Sequence, residues 1–422
     1  MENNNKQVNL WCLTLVISLF FMWGVANNLN DILIQQFKKS FVLSDLQSGF
    51  VQSAFYMGYF FFAIPAAMVM QRFGYKAAII VGLLLYGAGA LLFYPAADVQ
   101  VYSFFLVALF VIASGLAFLE TTANPYIVAL GSPETAQRRL NFAQSFNPLG
   151  AISGIVIGQN FIFTGVEHSP TELAALSTEQ QQAFYHSEIL SVQTPYLIIG
   201  LFILFWCGLF IITKFPVNQH NADHDAQQAP ASYRTLFGYR HFRWAAFAQF
   251  CYVGAQVGVW SFLIRYSLQA DVGLTEKMAA NGLTASLVLF MTGRFVGTWL
   301  MSKIAGDKLM AYFAIANVGL TLLAIAIGGY IGIGALILVS FGMSIMFPTI
   351  FAIGVCHVGN QTKLAASVLV MAIIGGAVLT AVMGAISDAS HIRFAFAVPC
   401  LCFVVIAYFS LYAKKITRVV AV

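Results

Sequence analysis

The sequence predicts an all-α membrane protein of twelve transmembrane helices arranged as two six-helix repeats. Three observations carry this reading. Hydrophobic residues make up 60% of the 422 and charged residues 9%, against roughly 45–50% and about 25% in soluble domains. A soluble globule cannot be covered with so few charges, and the same numbers exclude disorder. Twelve apolar segments are long enough to cross a bilayer, which takes about 20 residues. The lysines and arginines then fall on alternate sides as an even number of spans requires.

The elements follow in order. Nine mostly polar residues open the chain, and an apolar segment with no small-residue cleavage site comes next, so a retained helix is expected there. The first six spans are expected near 10–34, 47–70, 77–94, 101–128, 141–163 and 194–213. The second six are expected near 243–267, 281–301, 309–327, 331–356, 363–387 and 392–413. A closed barrel would show alternating strands of ~10 residues, and none is seen. With the N-terminus inside, the inner segments hold fifteen of the 21 Lys and Arg, and the outer loops hold Lys38, Lys39, Lys277 and Arg393. Arg265 and Arg294 lie within spans. Both termini are therefore expected in the cytoplasm, and the net charge of +5 reflects inner loops and not nucleic-acid binding.

This divides the chain into an N-terminal bundle at 1–213, a cytoplasmic linker at 214–242 and a C-terminal bundle at 243–422. The polar stretch Thr164–Gln193 carries Glu167, Glu172, Glu179 and Glu188 with no Lys or Arg, as an outer loop should. His220, Asp223, His224 and Asp225 sit in the linker and read as a solvated segment. The six cysteines all fall in apolar runs without a CxxC pair and read as buried small hydrophobes. No metal site and no cofactor other than a coupling proton is expected. The halves echo each other: Gln71–Lys76 after the second span is a short basic turn, and Ser302–Lys308 stands at the matching place after the eighth.

Charge inside a bilayer costs about 2.5–3.5 kcal/mol and marks function. Of sixteen acids, only Asp31 and Glu120 fall inside the expected spans. Asn27 and Asp31 are four apart and share a helix face, with Asn28 beside it. Gly24 and the asparagines weaken that helix, as suits backbone lining a cavity; the competing reading is that they bond neighbouring helices. Glu120 and Asn124 also share a face, and Pro125 removes a backbone bond there. A carboxyl withdrawn from water disfavours its charged form, which equips Glu120 to carry a proton; the bland alternative is an ion pair with Arg138 or Arg139. Gln144 and Asn147 share a face of the fifth span, and Gly150, Gly154 and Gly158 behind them suit close helix packing. Gln249, Tyr252, Gln256 and Trp260 form a polar and aromatic stripe on the seventh span, suited to a polyhydroxylated ring or to interhelical bonding. Arg265 is expected to snorkel; Arg294 has no evident partner.

At these residues the chain resembles the fucose–galactose–glucose proton symporters of the major facilitator superfamily. The resemblance is carried by NNLNDIL (Asn27–Leu33), QSAFYMGYF (Gln52–Phe60), LETTANP (Leu119–Pro125), RLNFAQSFN (Arg139–Asn147), SVQTPY (Ser191–Tyr196), AQFCYVGAQ (Ala248–Gln256), IRY (Ile264–Tyr266), PTIF (Pro348–Phe351) and MAIIGG (Met371–Gly376). It covers nearly the whole chain, and the runs are long and in order. It implies the major facilitator fold, a multi-pass monomer in a bacterial inner membrane, and import of a monosaccharide with a proton. L-fucose is the first expectation and D-galactose, D-glucose or N-acetylglucosamine the alternatives. It further implies that Asp31 and Glu120 are the family's two membrane carboxyls, tied to proton coupling and sugar recognition, and that Gln144 and Asn147 reach the sugar. One departure stands out: fucose-transporting members carry a polar Gln-Tyr pair before PTIF, where this chain has Met346-Phe347.

Other classes fare worse. A primary pump needs a phosphate-binding loop such as GxxxxGK[ST], which is absent, and an enzyme needs a nucleophile or metal cluster, whereas His357 and His391 stand alone. A drug–proton antiporter would keep the carboxyls but want an apolar, aromatic cavity, not Asn and Gln on several helices.

Overall fold

A computed structural model describes residues 10–43, 45–130, 132–162, 172, 176–215, 231–270 and 273–419. His220, Asp223, His224 and Asp225 lie outside these residues. So does the side chain of Asp31, of which only the helical backbone is described.

All twelve expected spans are helical. The first is Leu10–Ser40, six residues longer than its hydropathy suggests. The second and third form one continuous element, Asp45–Leu91, turned at Gly74. The fourth is Tyr102–Ala129. The fifth is broken into Ala136–Gln144 and Phe146–Ile157, with a π-helical end at Gly158–Ile162. The sixth is Gln193–Ile212. The seventh to ninth are Arg240–Leu268, Glu276–Leu300 and Gly306–Ala326. The tenth is broken into Gly329–Met343 and Met346–Val355. The eleventh runs through Thr362–Met371 and Gly375–Ala389, and the twelfth is Ala397–Val419. Helices fit a bilayer because every backbone group bonds within the segment.

One helix lies where a polar loop was expected. Thr178–Leu190 is helical because Ser177 and Gln180 form a reciprocal capping box, and Gln36 Nε2 donates to Glu188 Oε2 at 2.7 Å.

The chain forms two compact units: Met1–Ala123 with Leu149–Val217, and Asn124–Pro148 with Asn218–Val422. In the first unit, small residues set the closest helix contacts. A Cβ on Gly150 would strike the Phe21 carbonyl, and one on Gly154 would come within 2.8 Å of the Val25 carbonyl. Main-chain and side-chain hydroxyl or indole bonds fix the sixth span: Trp206 Nε1 donates to Ser18 Oγ at 2.8 Å. Lys76 Nζ donates to the Ile211 and Thr213 carbonyls at 2.8 and 2.9 Å, where a cation suits the negative end of a helix. In the second unit, Arg393 does the same for the ninth span through the Ile325 and Ala326 carbonyls, and Tyr266 Oη donates to the Ala324 carbonyl at 2.7 Å.

Gly74 makes the turn between the second and third spans at φ 84°, ψ 174°, a region essentially restricted to glycine. A Cβ there would meet nothing within 4 Å, so the requirement lies in the backbone and not in space. Gly74→Ala is expected to cost about 1–3 kcal/mol, lowering the melting temperature in detergent. Gly208→Ala, which also meets nothing within 4 Å but sits in regular helix, should leave it unchanged or slightly raised.

Candidate functional site

The first unit assembles one set of polar groups at mid-span. Trp23, Asn27 and Asp31 follow one another at one-turn spacing along the first span. The Asn27 Oδ1 atom is buried and accepts no hydrogen bond among the described residues. Asn28 reaches back to the Gly24 carbonyl at a long 3.4 Å. The remaining asparagine, Asn30, is helix-to-helix bonding, donating to Gln52 Oε1 at 2.7 Å. Asp31 has nine further helical residues after it, about 14 Å at 1.5 Å per residue, so its backbone is well inside the first span.

Glu120 is 1% exposed. It stands nine residues before Ala129, the last residue of its helix, again about 14 Å from that end. Its carboxyl lies within electrostatic reach of the Tyr59 hydroxyl, which in turn neighbours Trp23. Neither Tyr59 Oη nor Trp23 Nε1 completes a well-formed hydrogen bond. Thr121 and Thr122 are buried in the next turn, and their hydroxyls are also unbonded. The Arg139 guanidinium caps the end of the fourth span, donating to the Ile127 and Val128 carbonyls at 2.7 and 2.6 Å and to Thr135 Oγ1 at 2.8 Å. Trp23 and Tyr59 were not singled out from sequence. The signal for Trp23 was present, since it lies four residues before Asn27 on the face that continues to Asp31; Tyr59 lies within QSAFYMGYF with no periodic cue.

The second unit assembles another set. Gln144 Nε2 donates to Asn124 Oδ1 at 2.8 Å, and both residues are buried. Asn147, one turn further along the fifth span, is half-buried. On the seventh span, Gln249 is fully buried with neither amide atom bonded among the described residues, and the Tyr252 hydroxyl is likewise buried and unbonded there. The Tyr252 ring meets Phe347 edge-on at 6.0 Å, and Phe347 stacks on Phe351 at 6.3 Å. The Met346-Phe347 departure thus sits directly beside the polar stripe. Gln256 is half-buried. Trp260 commits its indole N–H to Ser340 Oγ at 3.0 Å and its ring to Phe290 at 5.0 Å, which is interhelical bonding. Arg265 is exposed and lies over Phe262 at 5.4 Å. The guanidinium of Arg294, 3% exposed, does have partners, all of them oxygens of amides: it donates to the Ser344 carbonyl at 2.7 Å and to the Gln144 carbonyl at 2.9 Å.

Leaving buried donors and acceptors unbonded costs about 1–3 kcal/mol each. Asn27, Gln249 and Tyr252 therefore mark places where the fold carries polar groups that it does not itself use. Amide and hydroxyl groups beside flat aromatic rings suit a ligand with several hydroxyls and an apolar face. Among the described residues, no cluster of three or more His, Cys, Asp or Glu side chains is placed to hold a metal ion.

The model of the Major Facilitator Superfamily matches residues 12–369. The chain belongs to the major facilitator superfamily. Within it, the chain is 49% identical over 405 residues to the L-fucose-proton symporter of Escherichia coli K12, covering 95% of this chain and 92% of that one. It is 36% identical to a glucose/galactose transporter of Brucella abortus, covering 98% and 97%. Among solved structures, FucP in the outward conformation superposes with a TM-score of 0.86 at 47% identity, over 95% of this chain and 98% of that chain. A proton:xylose symporter, XylE, shares the fold at a TM-score of 0.70 and 14% identity, over 94% of each chain.

Two substitutions separate the orphaned groups of this major facilitator protein from its structural ones. Tyr252→Phe removes a hydroxyl that no described residue bonds, so the unfolding temperature of the ligand-free protein should stay level or rise. Trp260→Phe loses the bond to Ser340 and should cost about 0.5–1.5 kcal/mol in the same thermal unfolding measurement.

Proposed function

We propose that this chain is a monosaccharide–proton symporter working by alternating access, with L-fucose as its first substrate. The observation that carries the reading is Glu120: a carboxyl buried at mid-span beside Tyr59, in a chain whose relatives include L-fucose-proton symporters. A charge held there is costly, and protonation removes it. A proton entering down the gradient therefore neutralises Glu120, sugar binds, the two repeats rock, and both ligands leave inside. Asp31, on the helix face that also carries Asn27, is the second carboxyl of the coupling pair. One proton moving inward releases about 2.3 kcal/mol per 100 mV, enough for roughly fifty-fold accumulation.

Asn27, Asn28, Asn124, Gln144, Asn147, Gln249, Tyr252 and Gln256 are the groups assigned to the sugar hydroxyls. Trp260 is assigned to the wall. Phe347 against Tyr252 stands where fucose-transporting members carry a polar group, so D-galactose, D-glucose and N-acetylglucosamine are the alternatives to L-fucose. The positive-inside pattern supports cytoplasmic termini, and we read the protein as a monomer of a bacterial inner membrane, built of an N-terminal bundle (1–213), a linker (214–242) and a C-terminal bundle (243–422).

Counterflow in liposomes with L-fucose, D-galactose, D-glucose and N-acetylglucosamine tests the substrate class. L-fucose is expected to exchange fastest; competition by hydrophobic cations and by no sugar would replace this reading with drug–proton antiport. Adding the sugar to de-energised cells should make the medium more alkaline, since protons enter with it. Glu120→Gln is expected to abolish uphill accumulation while sparing exchange, measured with labelled sugar in energised vesicles. Unchanged accumulation would remove Glu120 from the coupling role.

A further inference from the structure

The two breaks in the fifth and tenth spans have one chemical cause and one shared partner. Proline has no N–H, so a proline in a helix leaves the carbonyl four residues earlier without its bond. Pro148 releases the carbonyl of Gln144, and Pro348 releases that of Ser344; these are the positions where the two helices are interrupted, at Ser145 and at Ser344–Ile345. Inside a bilayer such a carbonyl needs another donor. Arg294, from the eighth span, supplies it to both: Nε to the Ser344 carbonyl at 2.7 Å and Nη1 to the Gln144 carbonyl at 2.9 Å. Its guanidinium lies over the Phe290 ring at 4.7 Å, and none of its bonds goes to a carboxylate among the described residues.

The two bonds differ mechanically. Arg294 and Ser344 both belong to the second six-helix repeat. Gln144 belongs to the first, yet Asn124–Pro148 forms one compact unit with Asn218–Val422. The same face of the fifth span makes two further contacts of this kind. Asn141 Nδ2 donates to Thr349 Oγ1 at 3.1 Å, and Gln137 fills the space that a side chain at Gly306 would occupy.

We propose that Arg294 is a positioning residue of the transport cycle: its guanidinium clamps the carbonyls released by Pro148 and Pro348, and gives up the Gln144 carbonyl each time the repeats rock apart on this side. The clamp closes a dry contact, and water takes over both freed groups when it opens. The proposal rests on alternating access and is independent of which substrate is carried.

The test reads conformation without any substrate. In protein whose six native cysteines are replaced, a reporter Gln137→Cys is labelled with a maleimide applied to either face of reconstituted vesicles. Arg294→Gln is expected to raise the labelling rate about tenfold or more, the worth of one charge-assisted hydrogen bond; Arg294→Lys should give a smaller rise, since a point donor does not span two carbonyls. Pro148→Ala restores an N–H that competes for the Gln144 carbonyl, so it should also raise labelling. Combined with Arg294→Gln it should add nothing further, because both changes break the same bond. Unchanged labelling in the single variants, or independent effects in the double, overturns the proposal. Should Arg294→Gln fail to reach the membrane, Pro148→Ala, Arg294→Lys and their combination decide it in the same way. Failure of sugar counterflow with the clamp intact would instead remove the substrate reading alone.

Discussion

In the hydrocarbon interior no water is at hand to satisfy a stray peptide group. Most of this molecule meets that demand by unbroken helix. Where proline breaks a helix, at positions 148 and 348, the freed carbonyls turn to the Arg294 side chain, and candidate site residues stand beside both breaks. Gln144 and Asn147 bracket the break before Pro148, and Phe347, against Tyr252, stands next to Pro348. Interrupting a membrane helix and building a polar site are thus one structural act here: the interruption supplies main-chain oxygens, and the neighbouring side chains are already committed to a polar setting.

The two units hold different kinds of polar group. The first carries the carboxyl at 120 with Tyr59, Trp23 and Asn27; the second carries the amides and rings around Tyr252, with the buried guanidinium of Arg294 spent on main-chain oxygens. This division fits a transporter in which charge neutralisation and shape recognition are handled by separate helices. It also explains why Arg294 need not pair with an acid. A guanidinium has five donors, and two carbonyls with a ring face satisfy much of it.

Hydropathy and charge asymmetry were enough to place all twelve spans, because length and lipid exposure act on each segment alone. They missed the helix at Thr178–Leu190, whose stability comes from a capping box and a bond to Gln36 and not from apolar character. The Glu120–Asn124 and Asn27–Asp31 pairs were legible as periodic stripes. Tyr59 was not, since its closeness to Glu120 depends on how the second and fourth spans pack. Arg294 shows the limit most plainly: Pro148, Pro348 and the arginine are all visible in the sequence, but the oxygens it bonds belong to the backbone and leave no residue-type signal. Trp260, read as part of a ligand stripe, proves to hold the seventh span to Ser340, because the spacing of a stripe does not reveal which of its members already has a partner.

The contact of Gly150 and Gly154 with the main chain at Phe21 and Val25 also bears on how the protein is made. About 130 residues separate the two partners, so at the usual ~5–20 residues per second of synthesis the first helix waits many seconds for the surface it packs on. The amino-terminal bundle can therefore close this contact only after the fifth span has been made.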